Sequence, residues 1–147
     1  MLKDIIHYNH SANLAVIDVF SQAGKSIPEA ERLFSHILNA QTIWLSRINN
    51  TPVSMDTFQL QDRKDFRSLE DSGYKELLRV LNETTLSEEI FYKTMKGDQF
   101  SNTVSDILFH LVNHSTYHRG QIASIFRKAD VQPAVTDFIV YKRDGRL

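Results

Sequence analysis

The stretch Ile107–Phe126 decides the fold, and its sequence is ILFHLVNHSTYHRGQIASIF. Apolar residues recur in it every three or four positions, which is the period of an α-helix with one face in a core. His114 and His118 fall on that inward face, roughly 5–6 Å apart at their Cβ atoms. The stretch therefore predicts a long helix, capped at residues 103–106 and continuing to about residue 128, that carries two imidazoles inward.

Two imidazoles at this spacing can bind one divalent ion, and a third histidine strengthens that interpretation. His36 falls on the apolar stripe of a second predicted helix. If the fold brings this helix against the stretch around His114 and His118, three neutral nitrogen ligands meet and leave part of the metal coordination sphere open. That layout is typical of a catalytic metal site. The alternative is a set of hydrogen-bonded core histidines, since a bare HxxxH pair is common by chance.

Six more residues are candidates for a role around this site. His110 continues the histidine row, but three residues in line span near 12 Å, too far for one ion to hold both ends. We therefore expect His110 to support the site or the core rather than to bind the ion. Gln121 follows His118 by three residues and can orient a ligand or a bound water. Tyr8 and Trp44 are candidate pocket walls, with Arg47 and Asn13 as further possibilities.

The remaining polar residues near these helices are expected to have other roles. Arg119 follows its neighbouring histidine by about 100° around the helix, so we expect it to make an ion pair or to contact a subunit partner. His7 is expected at the surface, and His10 at most at the mouth of the site.

Length and composition exclude several classes of protein. The 147 residues suit a single domain covering 1–147, and the absence of cysteine excludes disulfides, thiolate ligands and a cysteine nucleophile. Seventeen basic and eighteen acidic residues leave no basic stripe for nucleic acid. No apolar run approaches the ~20 residues of a membrane span, and the N-terminus lacks a signal-peptide core. We therefore expect a soluble, cytoplasmic protein.

The other segments favour helices as well. Helices are predicted over about 3–23, from a Ser26–Glu29 capping box to 48, and from 68, with a long irregular segment at 51–67. Strand formers at Ile90–Met95, a turn at Gly97 and Phe100 predict a hairpin. Residues 135–141 are expected to be extended. The fold class is thus all-α: a four-helix bundle with a short β-hairpin before the last long helix and an extended C-terminal segment.

The motifs that would supply a protein base are missing from the sequence. It contains no HExxH, no Glu-x-x-His pair, no GxSxG, no P-loop and no GxGxxG. A metal-bound water or an external thiol is therefore the expected nucleophile. Because ligand imidazoles must be neutral and their reference pKa is about 6.5, metal affinity should fall as the pH drops below that value.

Four segments together resemble the DinB/YfiT-like (DNA-damage-inducible) family. They are Tyr8–Asn13, Leu33–Ala40 followed by Trp44 and Arg47, Ile107–Ile122 with its HxxxHRGQ segment, and Asp137–Tyr141. Ser11 departs from the tryptophan usual in the family, which affects a substrate contact there rather than the metal.

The resemblance implies a four-helix bundle, often a homodimer, with nickel or zinc bound by three histidines, here His36, His114 and His118. It also implies a thiol-dependent transferase or a hydrolase-like activity on a small electrophilic substrate, with a low-molecular-weight thiol as cosubstrate. The alternative is a non-catalytic homodimeric metal-binding protein of the stress response. Haem ligation by bundle histidines is a third option.

Overall fold

The structure, a computed structural model, describes residues 1–94 and 96–147. These residues are mostly helical and include one antiparallel two-stranded hairpin. The elements are α1 (Leu2–Gln22), α2 (Pro28–Ile48), α3 (Phe66–Glu83), β1 (Glu89–Lys93), β2 (Gln99–Thr103), α4 (Val104–Lys128) and α5 (Phe138–Arg143), with a 3₁₀ turn at Arg63–Asp65. The predicted mostly helical chain with a hairpin before the last long helix is confirmed. The described residues contain no helix that is both long and apolar enough to cross a membrane.

Each of the four long helices packs against two others. Helix α1 contacts α3 and α4, and α2 contacts the same two. One part of the core is a group of phenylalanine rings with centroids 4.9–5.7 Å apart, consisting of Phe20, Phe34, Phe66 and Phe126. The other part is formed by residues of all four long helices together with β1 and α5. The close packing of α2 against α4 places His36 beside the histidines of the last long helix.

The helix starts show where local sequence decides the structure. The capping box of α4 is confirmed: the Asp106 amide donates to Thr103 Oγ1 at 3.2 Å, and the Thr103 amide donates to the Asp106 carboxylate at 3.1 Å. The Ser26–Glu29 box predicted for α2 is wrong. Ile27 takes the N-cap position because Pro28 starts the helix, and its amide donates to the Glu31 carboxylate at 2.9 Å.

The C-terminal segment was predicted to be extended, and this is wrong for its second half. Residues 138–143 form α5, because Phe138 and Tyr141, one helical turn apart, both pack edge-on against Tyr8 at 5.3 and 5.6 Å between ring centroids. Tertiary packing thus overrides the strand preference of aromatic and β-branched residues. Met95, part of the predicted hairpin, lies outside the described residues.

Two helical glycines have opposite surroundings and give a matched pair of tests. A Cβ added at Gly73 would lie 1.8 Å from Nε2 of Gln41, which is buried, whereas a Cβ at Gly120 meets no described atom within 4 Å. Gly120→Ala is expected to raise the free energy of unfolding by up to about 1 kcal/mol through helix propensity. Gly73→Ala is expected to lower it by about 1 kcal/mol, because overpacking outweighs that gain. Urea unfolding that ranks Gly73→Ala at or above Gly120→Ala would contradict the close approach of α2 and α3.

Candidate metal centre

Three histidine rings meet where α2 packs on α4. Nε2 of His36 lies 3.0 Å from Nε2 of His114, and Nε2 of His118 lies 3.2 Å from the same atom. One nitrogen from each ring falls within 4.8 Å of the other two. Ligand nitrogens around a tetrahedral zinc ion are separated by about 3.4 Å, given Zn–N bonds of ~2.0–2.1 Å. The spacing of the three rings therefore fits the coordination shell of one small divalent ion.

Hydrogen bonds at the far side of two rings fix which nitrogen carries the proton. His36 Nδ1 lies 3.1 Å from the carbonyl oxygen of Thr57, and His118 Nδ1 lies 2.7 Å from Oε1 of Gln121. A carbonyl oxygen only accepts, so both Nδ1 atoms are the donors, and the neutral form of each ring then has its bare lone pair on Nε2. These two lone pairs face His114 Nε2, which has at most one proton to donate. At least one nitrogen–nitrogen contact is therefore without a hydrogen, and a cation would satisfy it.

Burial keeps two of the rings neutral. Desolvation lowers the pKa of His114 to about 3, and the neighbouring rings of His118 and His36 add to the effect. Desolvation also lowers the pKa of His36, with the Thr57 carbonyl partly opposing the shift. His114 Nδ1 is buried and has no hydrogen-bond partner among the described residues. Both rings are thus in the uncharged form that a metal ligand requires.

The lowered pKa values predict a stability that depends on pH in the metal-free protein. Unfolded histidine titrates near 6.5 and folded His114 near 3, so between these values the unfolded chain binds more protons. The free energy of unfolding should therefore be fully retained above pH 6.5 and lost progressively as the pH falls toward 3. Urea unfolding at pH 7 and at pH 4.5 measures this loss, and His114→Gln should reduce it. An equal loss in that variant would contradict the assignment.

The same shifts refine the expected pH dependence of metal binding. Because the pKa values of His36 and His114 are lowered, protons compete with the metal for these two rings only at a pH below the reference pKa of histidine. The loss of metal affinity caused by these two rings should therefore lie at lower pH than that reference value.

The segment after α2 supplies contacts that the sequence did not predict. Phe58 stacks on the His36 ring with centroids 4.2 Å apart. Asn39 holds the segment in place: its Nδ2 donates to the Gln59 carbonyl at 2.7 Å, and its Oδ1 accepts from Gln61 at 2.7 Å. The available signals were the length of the irregular segment and a buried asparagine one turn after His36. Residues 56–61 thus position the ring through Thr57 and cover one face of it.

The other candidate residues are distributed over different parts of the molecule. Gln121 contacts a ring of the cluster, as described above. The centroid of the His110 ring lies 5.5 Å from that of His114 and 5.5 Å from that of Trp44. His110 thus lies between the histidine cluster and Trp44 of α2, on the side nearer the start of α4. Tyr8 lies away from the cluster, where its hydroxyl donates to the Thr136 carbonyl at 2.5 Å.

Arg119 was expected to make an ion pair or to meet a subunit partner, and the described contacts differ. Its side chain is 3% exposed and donates to the amide oxygens of Asn9 at 2.6 Å and Asn13 at 2.7 Å. The Asn13 amide in turn donates to the buried Glu70 carboxylate at 3.0 Å. One asparagine thus bridges a buried cation and a buried anion.

The two N-terminal histidines belong to the surroundings of that network. His10 Nδ1 lies 3.1 Å from the second Glu70 oxygen, and its ring stacks on Tyr74 with centroids 3.8 Å apart. His7 hydrogen-bonds to the Tyr74 hydroxyl. Neither ring is part of the cluster at the interface of α2 and α4.

Comparison with known proteins gives two matches. The model of the DinB family matches residues 12–145. The protein DinB of Bacillus subtilis (strain 168) is 24% identical over 157 aligned positions, which cover 93% of this chain and 91% of the relative. The region that matches the family includes all three clustered histidines.

Proposed function

Because the chain belongs to the DinB family, we propose that it is a metal-dependent enzyme that binds one divalent ion through His36, His114 and His118. The observation that carries the proposal is the convergence of three Nε2 atoms, two of them left bare by Nδ1 hydrogen bonds to oxygen acceptors. A set of neutral imidazoles suits nickel and zinc better than magnesium or calcium, which prefer oxygen ligands. Nickel or zinc is therefore the ion that we propose.

The reaction that this site supports is attack on a small electrophile. When bound, such an ion supplies Lewis-acid chemistry, which lowers the pKa of a coordinated water or thiol. Because the chain has no cysteine, any thiol has to enter as a cosubstrate. Thr57 and Gln121 hold the ligand rings in one tautomer, and Phe58 excludes water from one face of His36. We infer a thiol-dependent transferase or a hydrolase-like activity.

The architecture proposed around this site is a four-helix bundle forming one domain over 1–147. Its support is that each of the four long helices packs against two others. Pairing into a homodimer, the cytoplasmic location and a role in the stress response stay predictions.

A non-catalytic metal-binding protein is the second candidate. It is favoured by the composition of the cluster, in which the described residues within ligand distance are histidines and include no carboxylate that could act as a base. Haem ligation, the third option, would give a visible absorption band that zinc does not.

Turnover separates the enzyme from the binding protein. Protein purified without an affinity tag and loaded with zinc or nickel is assayed with several thiols and electrophiles. We expect turnover that is lost in His36→Ala, His114→Ala and His118→Ala and kept in His7→Ala, whose ring lies outside the cluster. Metal binding that stabilises the fold, without turnover by any thiol or by water, would favour the second candidate.

A further inference from the structure

A cavity of about 290 Å³ lies between α2, the segment that follows it and β1. Its wall includes the apolar side chains of Ile43 and Met55 and the charged residues Arg47 and Lys93. None of its lining residues is acidic. The two positive charges are therefore not neutralised within the cavity, which attracts an anion.

Arg47 is held by aromatic rings rather than by an acid. Its guanidinium lies 4.4 Å from the ring of Trp44 and 4.8 Å from the ring of Tyr92, in the corner made by two rings that cross at 78°. Its one hydrogen bond to a described residue is long, from Nη2 to the Lys93 carbonyl at 3.4 Å. No carboxylate oxygen of the described residues lies within 4.0 Å of a nitrogen of the Arg47 guanidinium, whereas other arginines of the chain do form such ion pairs. A contact with aromatic rings does not neutralise the charge of a guanidinium as a carboxylate would, so Arg47 can still pair with a carboxylate of a ligand.

One residue of the cavity wall also contacts the histidine cluster. Thr57, which lines it, is the residue whose carbonyl accepts from His36. Arg47 follows His36 by eleven residues on the same helix, a rise of about 16 Å. The Arg47 guanidinium lies against the ring of Trp44, which is three residues nearer to His36 along α2, so the charged end of the side chain lies closer to His36 than the Arg47 backbone does. A molecule with a length on the order of 10 Å thus spans the gap between the two side chains.

We propose that Arg47, with Lys93 beside it, binds a carboxylate of the substrate or cosubstrate whose reacting end lies at the three histidines. The inference rests on the proposed function and adds the class of molecule: an elongated organic acid. A carboxylate matches the planar fork of a guanidinium and accepts two of its N–H groups at once. The competing explanation is that Arg47 has a purely structural role and holds α2 against β1 through its contacts with Trp44 and Tyr92.

Suberate, an eight-carbon dicarboxylate, is the probe, and octane-1,8-diol, its uncharged analogue of the same chain length, is the control ligand. Trp44 is the single tryptophan and contacts Arg47, so its fluorescence reports binding at this end of the site. In zinc-loaded protein, Arg47→Gln is expected to weaken suberate binding about tenfold or more, as for loss of a charge-assisted pair, and to change octane-1,8-diol binding less than about twofold. Arg47→Lys keeps the charge without the fork and should lie between. Arg127→Gln, at an exposed position of α4, should match the unchanged protein.

Equal suberate affinity in Arg47→Gln and unchanged protein, with normal unfolding curves for both, would overturn the proposal and leave Arg47 with a structural role only. No binding of suberate to the unchanged protein would overturn it as well. The same titrations without metal separate this proposal from the proposed function. Suberate binding that depends on Arg47 but is indifferent to zinc supports the carboxylate site and counts against the metal site.

Discussion

Replacing His114 with alanine is expected to weaken zinc binding by more than about 100-fold, beyond the 10–100-fold typical when only a residue behind a ligand is lost. His114 is the central ring of the cluster: its Nε2 lies 3.0 Å from that of His36 and 3.2 Å from that of His118. Its loss leaves two ligands on two different helices. Competition with a chromophoric chelator at pH 7 measures the change.

His110→Ala is the matched control for this prediction. It removes the same residue type from the same helix, one turn earlier, where the ring contributes no nitrogen to the cluster. Zinc affinity within about threefold of the unchanged protein is expected, since His110 does not touch the ion. Equal losses in the two variants would show that the cluster is not the binding site, even though both proteins fold.

Replacing Arg119 with methionine is expected to lower the free energy of unfolding by about 3 kcal/mol or more, as when one partner of a buried charge network is removed. The amide oxygens of Asn9 and Asn13 would lose their donor inside the core, and the buried Glu70 carboxylate would lose the nearest buried cation. Methionine fills a similar volume, so the loss reports the polar contacts rather than a cavity. Urea unfolding measures it.

Arg127→Met tests whether that cost is specific to the buried position. Arg127 is an exposed residue in the last turn of the same helix, so its loss should cost about 1 kcal/mol or less. An Arg119→Met protein as stable as Arg127→Met would mean that the buried network contributes little to the fold.

The helical period of Ile107–Phe126 was enough to predict α4 and the face on which His114 and His118 lie. The spacing also placed His36 on the apolar stripe of a second helix, while its meeting with the other two rings depends on the packing of α2 against α4. The tautomers could not be predicted in the same way, because Thr57 reaches His36 from an irregular segment 21 residues further along the chain. Such segments have no period from which a contact can be derived.

The partners of the charged residue in the core could not be predicted from the sequence either. The expectation that Arg119 would find an ion pair or a partner followed from its position beside the inward face, and its amide partners come from a helix 106 to 110 residues earlier. The C-terminal helix was missed for a similar reason, because the contacts of Phe138 and Tyr141 with Tyr8 decide its conformation. In each case a long-range contact outweighed the local preference of the sequence.

The central claim is that imidazole nitrogens from α2 and α4 bind one divalent ion. X-ray absorption spectroscopy of the protein loaded with one equivalent of zinc tests it directly. We expect a first shell that contains three imidazole nitrogens at ~2.0–2.1 Å, and fewer of them in His114→Ala. A first shell of oxygen atoms alone, without the outer scattering of imidazole rings, would contradict it.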